Sequence, residues 1–267
     1  MEQIDNNMGL ILGEIGCRYR SNIENHIKDY KLQKVEDNVE WLLEPLDQIS
    51  HPSDLVLDAF RKGDRLGWLY ELYFHYRDAS AIYVPFDPPY EKYNEYIDIF
   101  DLIDEDVEVP QANPYNKTML IKGLANWPTI ESVPKIWDDV TVPFTEMGIW
   151  QALLLGEAYT FLPKGWHGNY NNCLYVFSQD DMQGIISSRK RSWNDFNHEK
   201  LASYLGSQDM LPSVKIDGDK AVVSYHYWNN WVGFSRLTVP VERHNQSVKF
   251  GKGEEQTLVK YDCGIRF

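Results

Sequence analysis

At 267 residues the chain can bury one large core or two smaller ones, and 43% hydrophobic with 14% aromatic residues excludes wholesale disorder. The formal net charge is −14, and all of it lies in residues 1–143, where 27 Asp and Glu stand against 13 Lys and Arg; residues 144–267 carry 13 of each. Such a one-sided acidic field repels nucleic acid and anionic lipid and attracts basic proteins.

The stretch MEQIDNNMGLILGEIG lacks a basic leader, and Met8–Leu12 is too short for a secretory core. No apolar run approaches the ~20 residues that span a bilayer. The expectation is a soluble, cytoplasmic chain without membrane contact. Cys17, Cys173 and Cys263 lie far apart with no CxxC or Cys/His spacing. Neither a disulfide framework nor a zinc site is expected, and the thiols read as reduced and buried.

The first half reads as mainly helical. His51-Pro52-Ser53-Asp54 is a start signal with Ser53 as candidate N-cap, and Leu55, Val56, Ala59 and Phe60 follow at helical spacing. Gly63-Asp64 interrupts, and Leu66, Leu69, Tyr70, Tyr73 and Tyr76 resume the stripe. A second helix is expected after Asp87-Pro88-Pro89, with Tyr93, Ile97 and Phe100 on one face and Glu91, Glu95, Asp98 and Asp101 on the other. Residues 107–143 read as loop, with Pro110, Pro114, Pro128, Pro134 and Pro143 and one short helix near 130–138. A further helix is expected over 145–159, where Met147, Trp150, Leu153 and Leu154 share a face.

The second half changes texture. Cys173 to Phe177 reads as a short buried strand, and 194–205 as a helix ended by Gly206. Val214 to Ile216, the turn Asp217-Gly218, and Ala221 to Tyr227 read as a hairpin. Asn229-Asn230 makes a second turn, Trp231 to Val239 the return strand, and Gln256 to Tyr261 a further one. The fold class expected is α+β, a helix-rich N-terminal half followed by an antiparallel β-meander with few helices. The Pro-rich stretch divides the chain into an acidic region 1–143 and a mixed region 144–267, unless it is an excursion within one continuous domain.

No motif specifies a reaction, a cofactor or a metal. The seven histidines show no HxH or HExxH spacing, and Gly13-Glu14-Ile15-Gly16 is too short for a dinucleotide fingerprint. Asp87–Glu108 holds nine carboxylates and one lysine; Asp104, Glu105 and Asp106 extend the helix face of Glu91, Glu95, Asp98 and Asp101. The tract suits a basic protein surface or a plain solvated face, and it lacks the spacing of a calcium loop. A two-residue Asn229-Asn230 loop pairs Trp228 with Trp231 and His226 with Gly233. It puts Tyr225, Tyr227, Val232 and Phe234 on the core face and His226, Trp228 and Trp231 on an opposite face that serves as stabiliser or platform. His167, Cys173 and Asp180 supply the atoms of a Cys–His nucleophile, though an apolar strand blunts a thiol. Ser188-Arg189-Lys190-Arg191-Ser192 is a small basic loop, too narrow for nucleic acid.

Two readings compete. The first is a non-enzymatic soluble protein that covers a basic protein partner through the acidic residues, Trp228, Trp231 and His226. In composition alone the chain resembles the immunity proteins of bacterial toxin systems, which are often acidic cytoplasmic proteins that occlude a toxin; the resemblance implies that role and transfers no residue. The second is a hydrolase of a small or glycan substrate, built from scattered carboxylates and aromatics. A carbohydrate-binding module using Trp228 and Trp231 is a third possibility.

Overall fold

The computed structural model describes residues 2–30, 39–63, 68–76, 140–158, 161–162, 173–189 and 197–261. The chain opens with α1 (Glu2–Tyr30). Leu12, Ile15, Tyr19 and Ile23 recur at helical spacing, and all four are buried, so one stripe of α1 faces the core. No described helix is long and apolar enough to cross a membrane.

Two strands follow where helix was expected. β1 (Leu55–Gly63) and β2 (Trp68–Tyr76) pair antiparallel from Leu55 opposite Tyr76 to Gly63 opposite Trp68. Ser53 is not an N-cap; it sits in a turn closed by the Leu55 N–H donating to the Pro52 carbonyl at 3.1 Å. The reason is compositional. Trp68-Leu69-Tyr70-Glu71-Leu72-Tyr73-Phe74 is rich in residues that pack well on a pleated surface, and a nearly continuous apolar run satisfies helical and strand spacing alike. Gly63 ends a strand where a pause in a helix was expected.

α2 (Glu146–Gly156) forms as expected. Thr145 Oγ1 accepts from the Gly148 N–H at 3.1 Å, satisfying a donor left open at the helix start. Gly148 to Leu155 are buried without interruption, so α2 runs through the core rather than along its surface. Trp150 Nε1 donates to the Leu12 carbonyl at 2.8 Å and ties α2 to α1.

β3 (Cys173–Val176) leads into α3 (Gln179–Arg189), and α4 (His198–Ala202) begins at Asn197. Then come β4 (Ser213–Asp217), β5 (Lys220–Asn229), β6 (Gly233–His244), β7 (Ser247–Phe250) and β8 (Glu254–Lys260). The fold is α+β, with a long N-terminal helix and a C-terminal antiparallel sheet of six strands among the described residues. β5 and β6 form its spine. β3 and β4 share the outer side of β5, and β7 and β8 share the outer side of β6.

Each face of this sheet packs against helices over part of its area, while Leu174, Ile216 and Val222 stay exposed. On one, Ala221, Val223, Tyr225 and Tyr227 join Val214, Tyr175, Val239 and Val241 in a core shared with α1 and α2, whose members come from both sides of residue 143. On the other, Trp228, Phe234, Val176 and Val259 lie with Met182, Ile185 and Ile186 of α3 and Leu201 of α4.

The layers meet at Phe177. Its ring packs edge-on against Trp150 at 5.9 Å, lies nearly parallel to Tyr175 at 5.8 Å, and has the Arg20 guanidinium 5.4 Å above it. α1 approaches it through Gly13 and Gly16: a Cβ on Gly16 would stand 2.7–2.9 Å from three ring carbons of Phe177. The two glycines of the rejected fingerprint thus have a packing role. Gly16→Ala is expected to lower stability by about 1–3 kcal/mol, because the backbone-borne methyl has no room. Gly184, inside α3, has nothing within 4 Å of its virtual Cβ. Gly184→Ala should leave stability unchanged or raise it by about 0.5–1 kcal/mol. Melting temperatures of the two variants, measured side by side, check both signs.

Candidate functional site

The hairpin end of β5 and β6 gathers most of the described residues singled out by sequence. Its loop is one residue longer than expected. Asn229 pairs with Gly233, leaving Asn230, Trp231 and Val232 as the loop. The cause is Asn229: its Oδ1 accepts from the Trp231 N–H at 2.8 Å, an Asx turn that lengthens the reversal. Gly233 completes it at φ +101°, and a Cβ there would sit 2.6 Å from the Tyr261 nitrogen.

The observed reversal shifts β6 by three places relative to expectation, an odd step that exchanges its faces. Trp228 now faces Phe234, Tyr227 faces Ser235, and His226 faces Arg236. Tyr225 and Tyr227 do lie on the first core, but Phe234 joins Trp228 on the opposite face, which corrects the expected grouping. That opposite face is no open platform. Trp228 is 0% exposed and His226 1% exposed, both beneath the α3–α4 layer. Trp228 Nε1 donates to Asn230 Oδ1 at 3.1 Å. Trp231, in the loop, stays partly exposed. Glu91, Glu95, Asp98, Asp101, Asp104, Glu105 and Asp106 lie outside the described residues, as does the helix expected near 130–138.

On the first-core face the structure assembles a group that the sequence did not mark. Tyr175 and Tyr227 are direct cross-strand partners with ring centroids 6.4 Å apart. The Tyr175 hydroxyl donates to Glu157 Oε2 at 2.7 Å. Ser235 Oγ donates to Glu255 Oε1 at 2.9 Å. Burial, then the hydrogen bond and negative charge of Glu255, push the Tyr227 phenol above its usual range. A phenol held there stays protonated, so it acts as a donor and not as a base or nucleophile. At the rim, Asn229 Nδ2 donates weakly to Cys173 Sγ at 3.8 Å. Cys173 and Cys17 are free thiols and half-buried, more open than expected. Asp180 is exposed in the first turn of α3, and His167 lies outside the described residues.

A second polar group joins α1 to α3. Ser178 Oγ accepts from the Asp181 N–H at 3.2 Å, and Asp181 Oδ2 accepts from the Ser178 and Phe177 N–H groups at 3.1 and 2.9 Å. That is a capping box, with one extra donor satisfied. Asp181 Oδ1 also pairs with Arg20 Nη2 at 2.6 Å, while Arg20 Nη1 donates to the Tyr175 carbonyl at 3.2 Å. Burial and the neighbouring Asp181 raise the Cys17 thiol, which keeps it an unreactive neutral group. The motif S-x-x-D before an apolar helix was a signal available in the sequence; the reach of Arg20 across 161 residues was not. Among the described residues, no three His, Cys, Asp or Glu side chains converge as metal ligands.

These placements separate the two hairpin tryptophans. Trp228→Ala is expected to cost about 3–5 kcal/mol of stability by emptying a buried site. Trp231→Ala should cost less than half as much, and urea midpoints of the two variants at matched m-values measure the difference. Compared with known proteins, the chain matches no family model, no curated protein and no solved structure.

Proposed function

We propose that this chain is a non-enzymatic binding protein that covers a basic protein partner, in the way an immunity protein occludes a toxin. The confinement of the whole −14 net charge to residues 1–143 carries this reading. A field of that size raises encounter rates with a cationic surface, and its rim charges set association more than dissociation. Several described carboxylates are engaged within the fold. Asp181 serves Arg20 and the start of α3, Asp47 accepts from Gln151 at 2.6 Å, Glu157 holds Tyr175, and Glu255 holds Ser235. In this reading steering falls chiefly to the densest run of carboxylates in the sequence, the tract of Glu91, Glu95, Asp98, Asp101, Asp104, Glu105 and Asp106. The tip residue Trp231 is the hairpin aromatic left with solvent contact, and His226 and Trp228 act behind it as support.

The first partner to try is a basic protein encoded beside this gene. Co-expression should relieve any toxicity of that protein. The association rate should fall steeply as salt rises from 50 to 500 mM, since exposed charges are screened within ~8–10 Å at 0.1–0.15 M. Replacing the seven acidic residues of the tract with Asn and Gln should slow association at low salt by at least about tenfold, with little change in dissociation. An association rate indifferent to both salt and these substitutions would remove the acidic tract from the reading. Failure to bind any basic neighbour product would sink the proposal itself.

A further inference from the structure

Against the second core cluster, stacked on its Phe234, lies the imidazole of His226, 1% exposed. Its direct cross-strand partner is Arg236, whose Nε donates to His226 Nε2 at 3.1 Å. A guanidinium keeps its protons at every pH at which the fold persists. Nε2 is therefore the acceptor, and the neutral ring carries its proton on Nδ1. Nδ1 makes no hydrogen bond of good geometry among the described residues. The ring stacks on Phe234 at 5.4 Å and 19°, and Phe234 meets Tyr204 edge-on at 5.4 Å. What closes over this face is apolar: Met182, Ile185 and Ile186 from α3, Leu201 from α4, and Met210.

We propose that His226 and Arg236 form an acid-released latch: protonation of the ring drives the guanidinium off Nε2 and opens the α3–α4 layer from the sheet, while the core shared with α1 and α2 stays closed.

The chemistry of the contact requires a choice between proton and partner. A second ring proton on Nε2 would set donor against donor and cation beside cation. Among the described residues, the charged groups facing the ring are Arg236 from β6, which opposes protonation, and Asp209 from the turn Gln208–Met210, which favours it; the backbone of Met210 also favours it. Asp209 is exposed, so its attraction is screened by water. Burial first, and Arg236 second, keep the ring neutral down to about pH 4. A histidine in an opened layer titrates near 6.5. Between those values the open state binds the extra proton. Closure is thus strongest above pH 6.5, weakens as pH falls towards 4, and weakens no further below. One proton is involved, so the open-to-closed ratio rises by at most tenfold per pH unit.

Hydrogen exchange on the full chain at pH 7, 6, 5 and 4, corrected for intrinsic rates, tests this. Protection over 179–189 and 198–210 should fall by up to tenfold per unit below pH 6.5, while 148–155 keeps its protection. In His226→Gln the side-chain oxygen still accepts from Arg236 but does not titrate, so the fall should vanish. Nitrogen NMR of the wild-type ring should show the Nδ1–H tautomer and a midpoint near 4. Loss of protection in all three regions together, or a fall in His226→Gln that matches wild type, overturns the latch. So does a ring that titrates near 6.5 with 179–189 still protected. If His226→Gln does not fold, the wild-type exchange pattern and ring titration decide the matter alone.

Discussion

Everything in this fold leans on the joint at Phe177. The residue is 1% exposed and stands where a strand becomes a helix. Its ring is clamped between the Gly13–Gly16 face of α1 and the Trp150 side of α2. Its N–H is held by the Asp181 carboxylate, which also caps α3 and meets Arg20 of α1. One carboxylate thereby fixes the start of α3, the end of β3 and the position of α1. Removing it would leave a guanidinium and two N–H donors short of partners in a partly buried place, which costs more than the loss of any single bond.

From that joint the two faces of the sheet acquire different characters. The α1–α2 face is aromatic and broad, with Tyr175, Phe177, Tyr225 and Trp150 in mutual ring contact. Hydroxyls at its edge are tied to Glu157 and Glu255, so its polar atoms are largely spoken for. Tyr19 is an exception: its hydroxyl is fully buried with no hydrogen-bond partner among the described residues, and burial raises its phenol well above the usual range. The α3–α4 face is smaller and covered by two short helices, and it holds an imidazole whose neutrality is a condition of its packing. A small cluster with one conditional member is the weaker of the two, and local opening starts where apolar contacts are fewest.

How far the sequence revealed this depends on which residues set each feature. The β4–β5 hairpin was legible because Gly218, at φ +60°, announces a tight turn between two apolar runs. α2 was legible because Thr145 and a dense apolar stripe agree. β1 and β2 were misread because Leu55-Val56-Leu57 and the aromatic run of β2 fit two periods at once, and only pairing across the turn decides. The β5–β6 register was missed by three residues because the decisive bond, from the Trp231 N–H to Asn229 Oδ1, is a side-chain option invisible to a count of loop residues. An odd shift of register exchanges the faces of a strand, and so Phe234 changed sides. The tyrosine–carboxylate group was beyond the sequence, since Glu157, Tyr175, Tyr227 and Glu255 meet only after the sheet is assembled.

The burial of His226 and Trp228 also changes what a binding surface on this chain can be. Aromatic surplus alone suggested a flat tryptophan platform. Among the described residues, aromatic rings fill two cores on one sheet, with Trp228 against Tyr261 at 5.0 Å and Phe234 against Tyr204. Rings sealed at 0% exposure cannot anchor a partner without first opening the layer above them. In the proposed binding role, recognition by the closed molecule uses charge and the rim where Trp231 sits, and a partner held mainly by charge is one whose association depends strongly on salt. A partner that instead needed Trp228 would have to bind the opened α3–α4 layer, and its affinity would be reduced by the fraction of molecules open at that pH.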